Sequence, residues 1–172
     1  MTGPGTAAAS TRARAIAETV PDPELPQLTV ADLGILREVT STGRHAVVTI
    51  TPTYSGCPAL QEIRAELRRR LEDAGFDDVE VRTSLSPAWT SDWITEQGRL
   101  KLRAAGIVPP QAAPVRSSGP VPLTLVRSAP TVRCPRCASP DTTRQSLFGA
   151  TACRALYRCT ACGEPFEYLK EI

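Results

Sequence analysis

Four of the six cysteines stand in two pairs that have the spacing of a tetrahedral metal site. Two residues separate the members of each pair and 21 residues separate the pairs, which are Cys134 with Cys137 and Cys159 with Cys162. A gap of two lets both sulfurs of a tight turn reach one ion, while nearby backbone N–H groups donate to the sulfurs. The spacing predicts a structural zinc ion bound by four thiolates. A single iron or an iron–sulfur cluster remains an alternative, because four sulfurs also suit iron.

Cys57 has a different setting, since it lies between a predicted strand and the start of the most regular predicted helix. A helix N-terminus carries partial positive charge, which favours thiolate over thiol. Gly56 permits a tight turn there, and Pro58 suits the first helical position. We therefore interpret Cys57 as a cluster-binding or reactive thiol, with a buried structural cysteine as the alternative. Cys153 is surplus to a four-sulfur site, so both a packed thiol and an exposed transient cluster ligand remain open for it.

Residues 133–172 combine the two cysteine pairs with three short predicted strands, over residues 142–148, 155–157 and 166–169. This pattern predicts a C-terminal β zinc ribbon. A segment of about forty residues buries little apolar surface, so the metal would supply much of its folding free energy.

Residues 11–106 carry the elements that must position Cys57. Their order is helix, strand, strand, helix, strand, helix, which predicts a small layered α/β domain. The predicted elements cover residues 11–20, 35–39, 46–51, 58–74, 79–85 and 91–105, with a turn at 41–44. Residues 107–132 contain six prolines and two charged side chains, so we interpret them as a Pro-rich linker between the two domains.

Charge and composition exclude several classes of function. With 20 basic and 18 acidic residues, the net charge of +2 gives no strong attraction to nucleic acid or to an anionic membrane. No apolar stretch is long enough to span a bilayer, and residues 1–10 do not have the pattern of a secretory signal. We expect a cytoplasmic protein with neither a nucleic-acid nor a membrane partner. His45 is the single histidine and follows a predicted turn, which favours an exposed polar residue over a catalytic base. The absence of further histidines removes most Cys-His and Ser-His-Asp schemes from within this chain.

Three short motifs in the first region resemble the small iron–sulfur assembly domain of SufT-like proteins. In chain order they are Asp22-Pro23-Glu24, Asp32-Leu33-Gly34 and Gly56-Cys57-Pro58. The resemblance covers residues 11–106 and implies that Cys57 is the functional thiol. It carries over Asp22, Glu24 and Asp32 only as members of the motifs. Turn formation and capping are an equally supported role for these acidic residues.

With the C-terminal runs at residues 148–159 and 164–168 added, the whole chain resembles the D-subunit family of phenylacetyl-CoA epoxidase systems. The resemblance implies a non-catalytic accessory or maturation subunit of a multicomponent di-iron oxygenase, which forms a ring 1,2-epoxide during aerobic phenylacetate breakdown. The implied partners are the oxygenase and reductase subunits, with a homodimer also open. The single histidine agrees, because a di-iron site needs a set of Glu and Glu-x-x-His ligands. The alternative is a stable structural subunit that scaffolds the oxygenase and handles no cluster.

Overall fold

The structure is a computed structural model that describes residues 4–54, 56–111 and 131–171. The chain divides into two compact units, and the division falls between Leu102 and Arg103. Residues 107 and 108, at the start of the predicted linker, form a strand within the second unit. Residues 112–130 of that predicted linker lie outside the described residues.

The first unit has the predicted order of elements, and its last helix extends two residues past the division. They are α1 (Pro4–Ala17), β1 (Leu36–Thr42), β2 (His45–Ile50), α2 (Ala59–Asp73), β3 (Asp78–Thr83) and α3 (Glu96–Ala104). The sheet order is β1-β2-β3, in which β2 runs antiparallel to β1 and parallel to β3. Helices α1 and α2 contact each other as well as the sheet, so both pack on one of its faces. This two-layer arrangement confirms the predicted α/β class.

Helix α2 follows directly from its sequence. Ile63, Leu67 and Leu71 recur every four residues and are buried, so they form one stripe against the sheet. The helix ends in a Schellman motif, in which the N–H of Gly75 donates to Glu72 and the N–H of Phe76 donates to Leu71. The helix begins at Ala59 with Pro58 as its N-cap residue, one position earlier than the first helical position predicted for this proline, so its N-terminus lies two residues after Cys57.

One edge of the first sheet collects the three segments that carry the singled-out residues. Because β2 and β3 are parallel, both end at this edge, and β1 begins there opposite Ile50. The N–H of Thr51 donates to Ile35 at 2.9 Å, and the N–H of Ser84 donates to Ile50 at 2.9 Å. The chain before β1, the chain after β2 and the chain after β3 therefore leave the sheet side by side.

The predicted helix over residues 91–105 is divided in the structure. A short 3-10 helix covers Ser91–Trp93, and α3 begins only at Glu96. Two threonines cause the division: Thr90 Oγ1 accepts from the N–H of Asp92 at 3.4 Å, and Thr95 Oγ1 accepts from the N–H of Gly98 at 2.9 Å. Each hydroxyl caps a separate helix start.

The second unit is a four-stranded sheet that contains both cysteine pairs. Its strands are β4 (Ile107–Val108), β5 (Thr142–Ser146), β6 (Arg154–Cys159) and β7 (Pro165–Leu169), in the order β4-β7-β6-β5. A separate core lies on one face of this sheet, where the ring of Tyr157 stacks on Phe166 at 5.8 Å and meets Tyr168 edge-on at 5.7 Å. The predicted three-stranded ribbon is confirmed, with β4 as an additional edge strand. Among the described residues, no helix is both long and apolar enough to cross a membrane.

Candidate metal centre and cysteine site

The four paired cysteines converge at one end of the second sheet. Their sulfurs all lie within 4.8 Å of one another, with Cys134 Sγ 3.7 Å from Cys162 Sγ and Cys137 Sγ 3.6 Å from Cys159 Sγ. A tetrahedron of metal–sulfur bonds near 2.3 Å has sulfur–sulfur edges of about 3.8 Å. The four thiols therefore fit a zinc ion, as the sequence predicts.

The two cysteine turns have the same backbone hydrogen bonds. In each turn the N–H of the first cysteine donates to the carbonyl five residues later, and its own carbonyl accepts from the N–H four residues later. The bonds are Cys134 to Ser139 at 3.0 Å, Ala138 to Cys134 at 2.9 Å, Cys159 to Glu164 at 2.8 Å and Gly163 to Cys159 at 2.9 Å. Ala138 and Gly163 occupy the same place in the two turns, with φ of 59° and 80°. Two equivalent turns thus present the four sulfurs to one point.

Backbone N–H groups of the first turn lower the pKa of the Cys134 thiol. Burial raises the pKa of the Cys134 thiol, but the N–H groups of Cys137 and Arg136 donate to its sulfur and bring the pKa down to about 7. A metal ligand must be a thiolate, so Cys134 gives up its proton to a metal at little cost. The backbone of Ser139 lowers the pKa of Cys137 and that of Glu164 lowers the pKa of Cys162, but hydrogen bonds among the clustered thiols, with burial, raise the pKa of Cys137 to about 12 and also raise that of Cys162. These two thiols therefore give up their protons at a greater cost.

Cys57 lies at the N-terminus of α2 and is half-buried. Its N–H donates to Tyr54 at 3.2 Å, and its carbonyl accepts from the N–H of Leu60 at 3.2 Å. Pro58 is the N-cap residue and makes no side-chain capping bond. A Cβ on Gly56 would meet only the ring of Tyr54, at an ordinary contact of 3.7 Å. The structure thus places Cys57 at a helix N-terminus, where thiolate is favoured.

Asp22 and Glu24 belong to a turn in the loop between α1 and β1, which contains Pro21, Pro23 and Pro26. Asp22 is 5% exposed, and its Oδ1 accepts from the N–H groups of Glu24 and Leu25, both at 2.9 Å. A carboxylate that closes the backbone in this way forms an Asx turn. In the structure Asp22 therefore forms a turn, which is one of the two roles considered for it from the sequence.

Asp32 connects the second motif to α3. Its Oδ2 accepts from the N–H of Thr29 at 2.9 Å and from the ammonium of Lys101 at 2.6 Å, and its carbonyl accepts from the N–H of Thr95 at 2.9 Å. Burial raises the pKa of Asp32, but the hydrogen bond from Lys101 and the other bonds outweigh it and hold the pKa below its ordinary value. The carboxylate therefore acts as an anchor for the chain that follows β3.

Leu33 and Gly34 complete this anchor. The indole N–H of Trp89 donates to the carbonyl of Leu33 at 2.9 Å. Gly34 has φ of 67°, and a Cβ there would lie 2.5 Å from both the Cβ and the carbonyl oxygen of Trp93. A Cβ on Gly98 would likewise lie 2.6 Å from the carbonyl oxygen of Asp32. The Asp32-Leu33-Gly34 motif thus binds and packs against residues 89–101, which we call the anchored segment.

The contacts between the anchored segment and this motif were not predicted from the sequence. Trp89, Trp93, Gly98 and Lys101 are 56 to 69 positions from their partners in the motif, so no local pattern joins them. A glycine inside a predicted helix was the available signal, because it costs about 1 kcal/mol relative to alanine unless a close approach requires it.

Cys153 lies inside the second unit. It is 6% exposed, its sulfur is 3.1 Å from Thr151 Oγ1, and its carbonyl accepts from the N–H of Lys170 at 2.9 Å. This burial favours the packed-thiol interpretation over an exposed one. Within the described residues, the four paired cysteines are the one group of three or more His, Cys, Asp or Glu side chains close enough to share a metal ion. Cys57 and Cys153 are not members of such a group.

Comparison with known proteins agrees with both parts of the site. Residues 11–83 match the family model of the iron–sulfur cluster assembly protein, and residues 118–170 match that of the PaaD zinc beta ribbon domain. A protein of Escherichia coli K12, provisionally described as the D-subunit of 1,2-phenylacetyl-CoA epoxidase, is 47% identical over 156 residues, which are 91% of this chain and 89% of that protein. The chain belongs to the D-subunit family of phenylacetyl-CoA epoxidases. The resemblance seen in the sequence is thereby confirmed.

Two further relatives concern the first domain of this D-subunit family member. An Fe-S protein maturation auxiliary factor of Porphyromonas gingivalis is 34% identical over 87 residues, which are 49% of this chain and 81% of that protein. The crystal structure of a domain of unknown function, DUF59, from Bacillus anthracis covers 57% of this chain and 94% of its own, with 27% identity and a TM-score of 0.53. The family model of the ribbon begins at residue 118, earlier than the start at 133 predicted from the sequence.

Proposed function

We propose that this protein is a non-catalytic accessory subunit that matures the phenylacetyl-CoA epoxidase, and that Cys57 handles iron or an iron–sulfur cluster on its way to another subunit. One observation carries the proposal: a half-buried cysteine stands at the N-terminus of α2 in a domain that matches the iron–sulfur cluster assembly family. The D-subunit membership supplies the client system.

In this proposal Cys57 supplies one thiolate ligand to the iron or the cluster. The helix N-terminus favours its thiolate, which is the form that binds iron. One thiolate does not hold a cluster, so the remaining ligands come from a client subunit or from a second copy of the chain. Such a shared site suits a cargo that must leave again, because removing one protein removes part of the coordination.

The ribbon has a structural part in this proposal. Its four thiolates fit a zinc ion, which would join the two cysteine turns and supply folding free energy to a small sheet. All four positions are taken by sulfur, so a zinc ion bound there keeps no open position for a substrate. The zinc site is therefore assigned a structural role, and binding of the client is proposed for the rest of the ribbon surface.

The proposal is tested by maturing the epoxidase from its subunits under anaerobic conditions, with this protein either wild-type or Cys57→Ser. We expect the variant to leave the client subunits poor in iron and the epoxidase activity low. Ultraviolet–visible and Mössbauer spectra of the mixture should show a cluster signal only with the wild-type thiol.

Cys153→Ser is the matched control, because it removes a thiol from the second unit and should leave maturation intact. Full iron loading and activity with Cys57→Ser would contradict the proposal. If that result came with co-purification of the subunits at a fixed ratio, the protein would instead be a stable scaffold of the oxygenase.

A further inference from the structure

Two large apolar side chains stand exposed next to each other directly after β5. Leu147 is 52% exposed and Phe148 is 62% exposed. The other large apolar residues that are exposed in the described ranges, Leu85, Leu100 and Leu156, are not neighbours in the chain. Adjacent exposed apolar residues of this size are typical of interaction surfaces.

The loop behind this pair is fixed by a largely buried ion pair. Arg154 Nη1 lies 2.6 Å from Glu167 Oε2, and these side chains are 11% and 25% exposed. Glu167 Oε1 accepts from the N–H of Ala150 at 3.2 Å, and the N–H of Gly149 donates to the carbonyl of Arg154 at 2.8 Å. A Cβ on Gly149 would lie 2.8 Å from Glu167 Oε1, so the loop lies directly against the carboxylate. The apolar pair is thus presented by an ordered loop.

A groove of about 220 Å³ adjoins the exposed pair. It is lined by Arg144, Leu147, Ala155, Tyr157, Tyr168, Lys170 and Glu171. The two tyrosines are buried and belong to the core of the sheet, which gives the groove a rigid aromatic wall. Aromatic walls beside an exposed apolar anchor are characteristic of binding hot spots.

Two basic side chains at the groove favour a binding partner with negative charge. Arg144 and Lys170 have no carboxylate within ion-pair distance among the described residues. Lys170 Nζ lies 4.6 Å from the centre of the Phe148 ring and donates to the carbonyl of Leu147 at 3.3 Å, which holds the cation at the apolar pair. Glu171, the one acid of the lining, accepts from the hydroxyl of Tyr168 at 2.8 Å. The groove therefore offers two cations beside an apolar anchor.

We propose that this groove, with Leu147 and Phe148, is the surface on which the ribbon binds an acidic segment of another protein that also carries an apolar side chain. The apolar side chain packs on Leu147 and Phe148, and the carboxylates of the segment pair with Arg144 and Lys170. The inference rests on the proposed function, in which the occupant is part of another subunit of the epoxidase.

The test measures binding of the full-length, zinc-loaded protein to each remaining epoxidase subunit, purified separately, and to a synthetic peptide that alternates glutamate with leucine. We expect Leu147→Ser combined with Phe148→Ser, and separately Arg144→Glu combined with Lys170→Glu, to weaken binding by about tenfold or more. Leu85→Ser combined with Leu100→Ser is the matched control for the peptide, because it removes equally exposed apolar residues of the first unit and should leave binding of the acidic peptide unchanged. A peptide that alternates lysine with leucine should bind more weakly to the wild type and more tightly to the charge-reversed variant.

Several results would overturn the inference. One is wild-type affinity in both groove variants, and another is failure of the wild type to bind any subunit or the acidic peptide. If the Leu147→Ser and Phe148→Ser variant lost zinc or unfolding stability, residues 112–130 of the same chain would be the better occupant. If it converted a wild-type dimer into a monomer, the occupant would be a second copy.

Failure of the inference is separable from failure of the proposed function. The inference alone fails if the groove variants bind normally while Cys57→Ser still blocks iron loading of the client. The function alone fails if the groove variants lose binding while Cys57→Ser matures the epoxidase fully.

Discussion

Ala138 adopts a left-handed backbone conformation at the position where the second cysteine turn has glycine. Both residues follow the second cysteine of their turn and donate to the carbonyl of its first cysteine. A left-handed conformation costs an alanine about 1–2 kcal/mol because its Cβ crowds the backbone, whereas glycine adopts it freely. The first turn therefore forms against a strain that the second turn does not have.

We predict that Ala138→Gly stabilises the metal-bound ribbon by about 1 kcal/mol, since part of the relieved strain is offset by the greater backbone entropy of glycine in the unfolded chain. Amide hydrogen exchange in β6 at fixed free zinc measures the change, because β6 lies in the ribbon. Gly163→Ala is the mirror-image control and should destabilise the ribbon by a similar amount. Equal stability of both variants and the wild type would refute the strain at Ala138.

At the scale of elements, the anchored segment explains why a motif of the first domain has its particular residues. Asp32 accepts from Lys101, Leu33 accepts from Trp89, and Gly34 leaves room for Trp93. The guanidinium of Arg37 lies over the Trp93 ring, 3.5 Å from its centre, and adds a cation–π contact to the same tryptophan. The motif thus fixes the chain after β3 onto the chain before β1.

Two glycines of the first domain allow a matched test of this packing. Gly34 and Gly43 have nearly equal φ values of 67° and 61°, but only Gly34 has neighbours that a Cβ would overlap. We predict that Gly43→Ala costs about 1 kcal/mol of unfolding free energy through strain alone, and that Gly34→Ala costs about 2 kcal/mol more through overlap with Trp93. Urea unfolding followed by tryptophan fluorescence gives both values. Equal losses in the two variants would show that the segment yields to the added Cβ.

The sequence predicted the elements whose signals are local and missed those whose causes are distant. Helix α2 has its apolar stripe and its end signal within the helix itself, and the cysteine pairs carry their spacing in four residues each. Helix α3 begins late because Thr95 caps it and binds Asp32, which is 63 positions away. Strand β4 has only two residues, which are too few to show a periodic pattern, and its pairing partners lie about sixty positions away in β7.

The same distinction applies to the candidate site. The position of Cys57 at a helix start could be predicted, because the strand before it and the helix after it are both strong local patterns. The anchoring role of Asp32 could not, because a lysine at position 101 supplies the charge that it binds. The burial of Cys153 is different, because it continues the alternation of β6, in which Ala155, Tyr157 and Cys159 are buried, so its cause is a local pattern.

At the scale of the whole molecule, the two units depend on different sources of folding free energy. The first unit has helices packed on a sheet around large buried side chains such as Ile63, Leu67 and Leu102. The core of the second unit is a small cluster in which Cys134 and Cys159 are themselves members. Loss of a metal ion bound by those sulfurs would therefore remove both the cross-link and the order of the core it adjoins.

We predict that removing the metal unfolds the second unit and leaves the first folded. A strong chelator, or Cys159→Ser, should release the ion and abolish amide protection in β5, β6 and β7, while protection in β2 and α2 stays at its original level. Both tryptophans, Trp89 and Trp93, lie in the first unit, so their fluorescence reports that unit and should not change. Hydrogen exchange and tryptophan emission are measured on the same sample across the chelator titration.

Cys57→Ser is the control, because it removes a sulfur from the first unit and should leave the zinc content unaltered. A shift of the tryptophan emission at the same chelator concentration that unprotects β6 would show instead that the two units unfold as one, and the metal would then stabilise the cysteine site of the first unit as well as the ribbon.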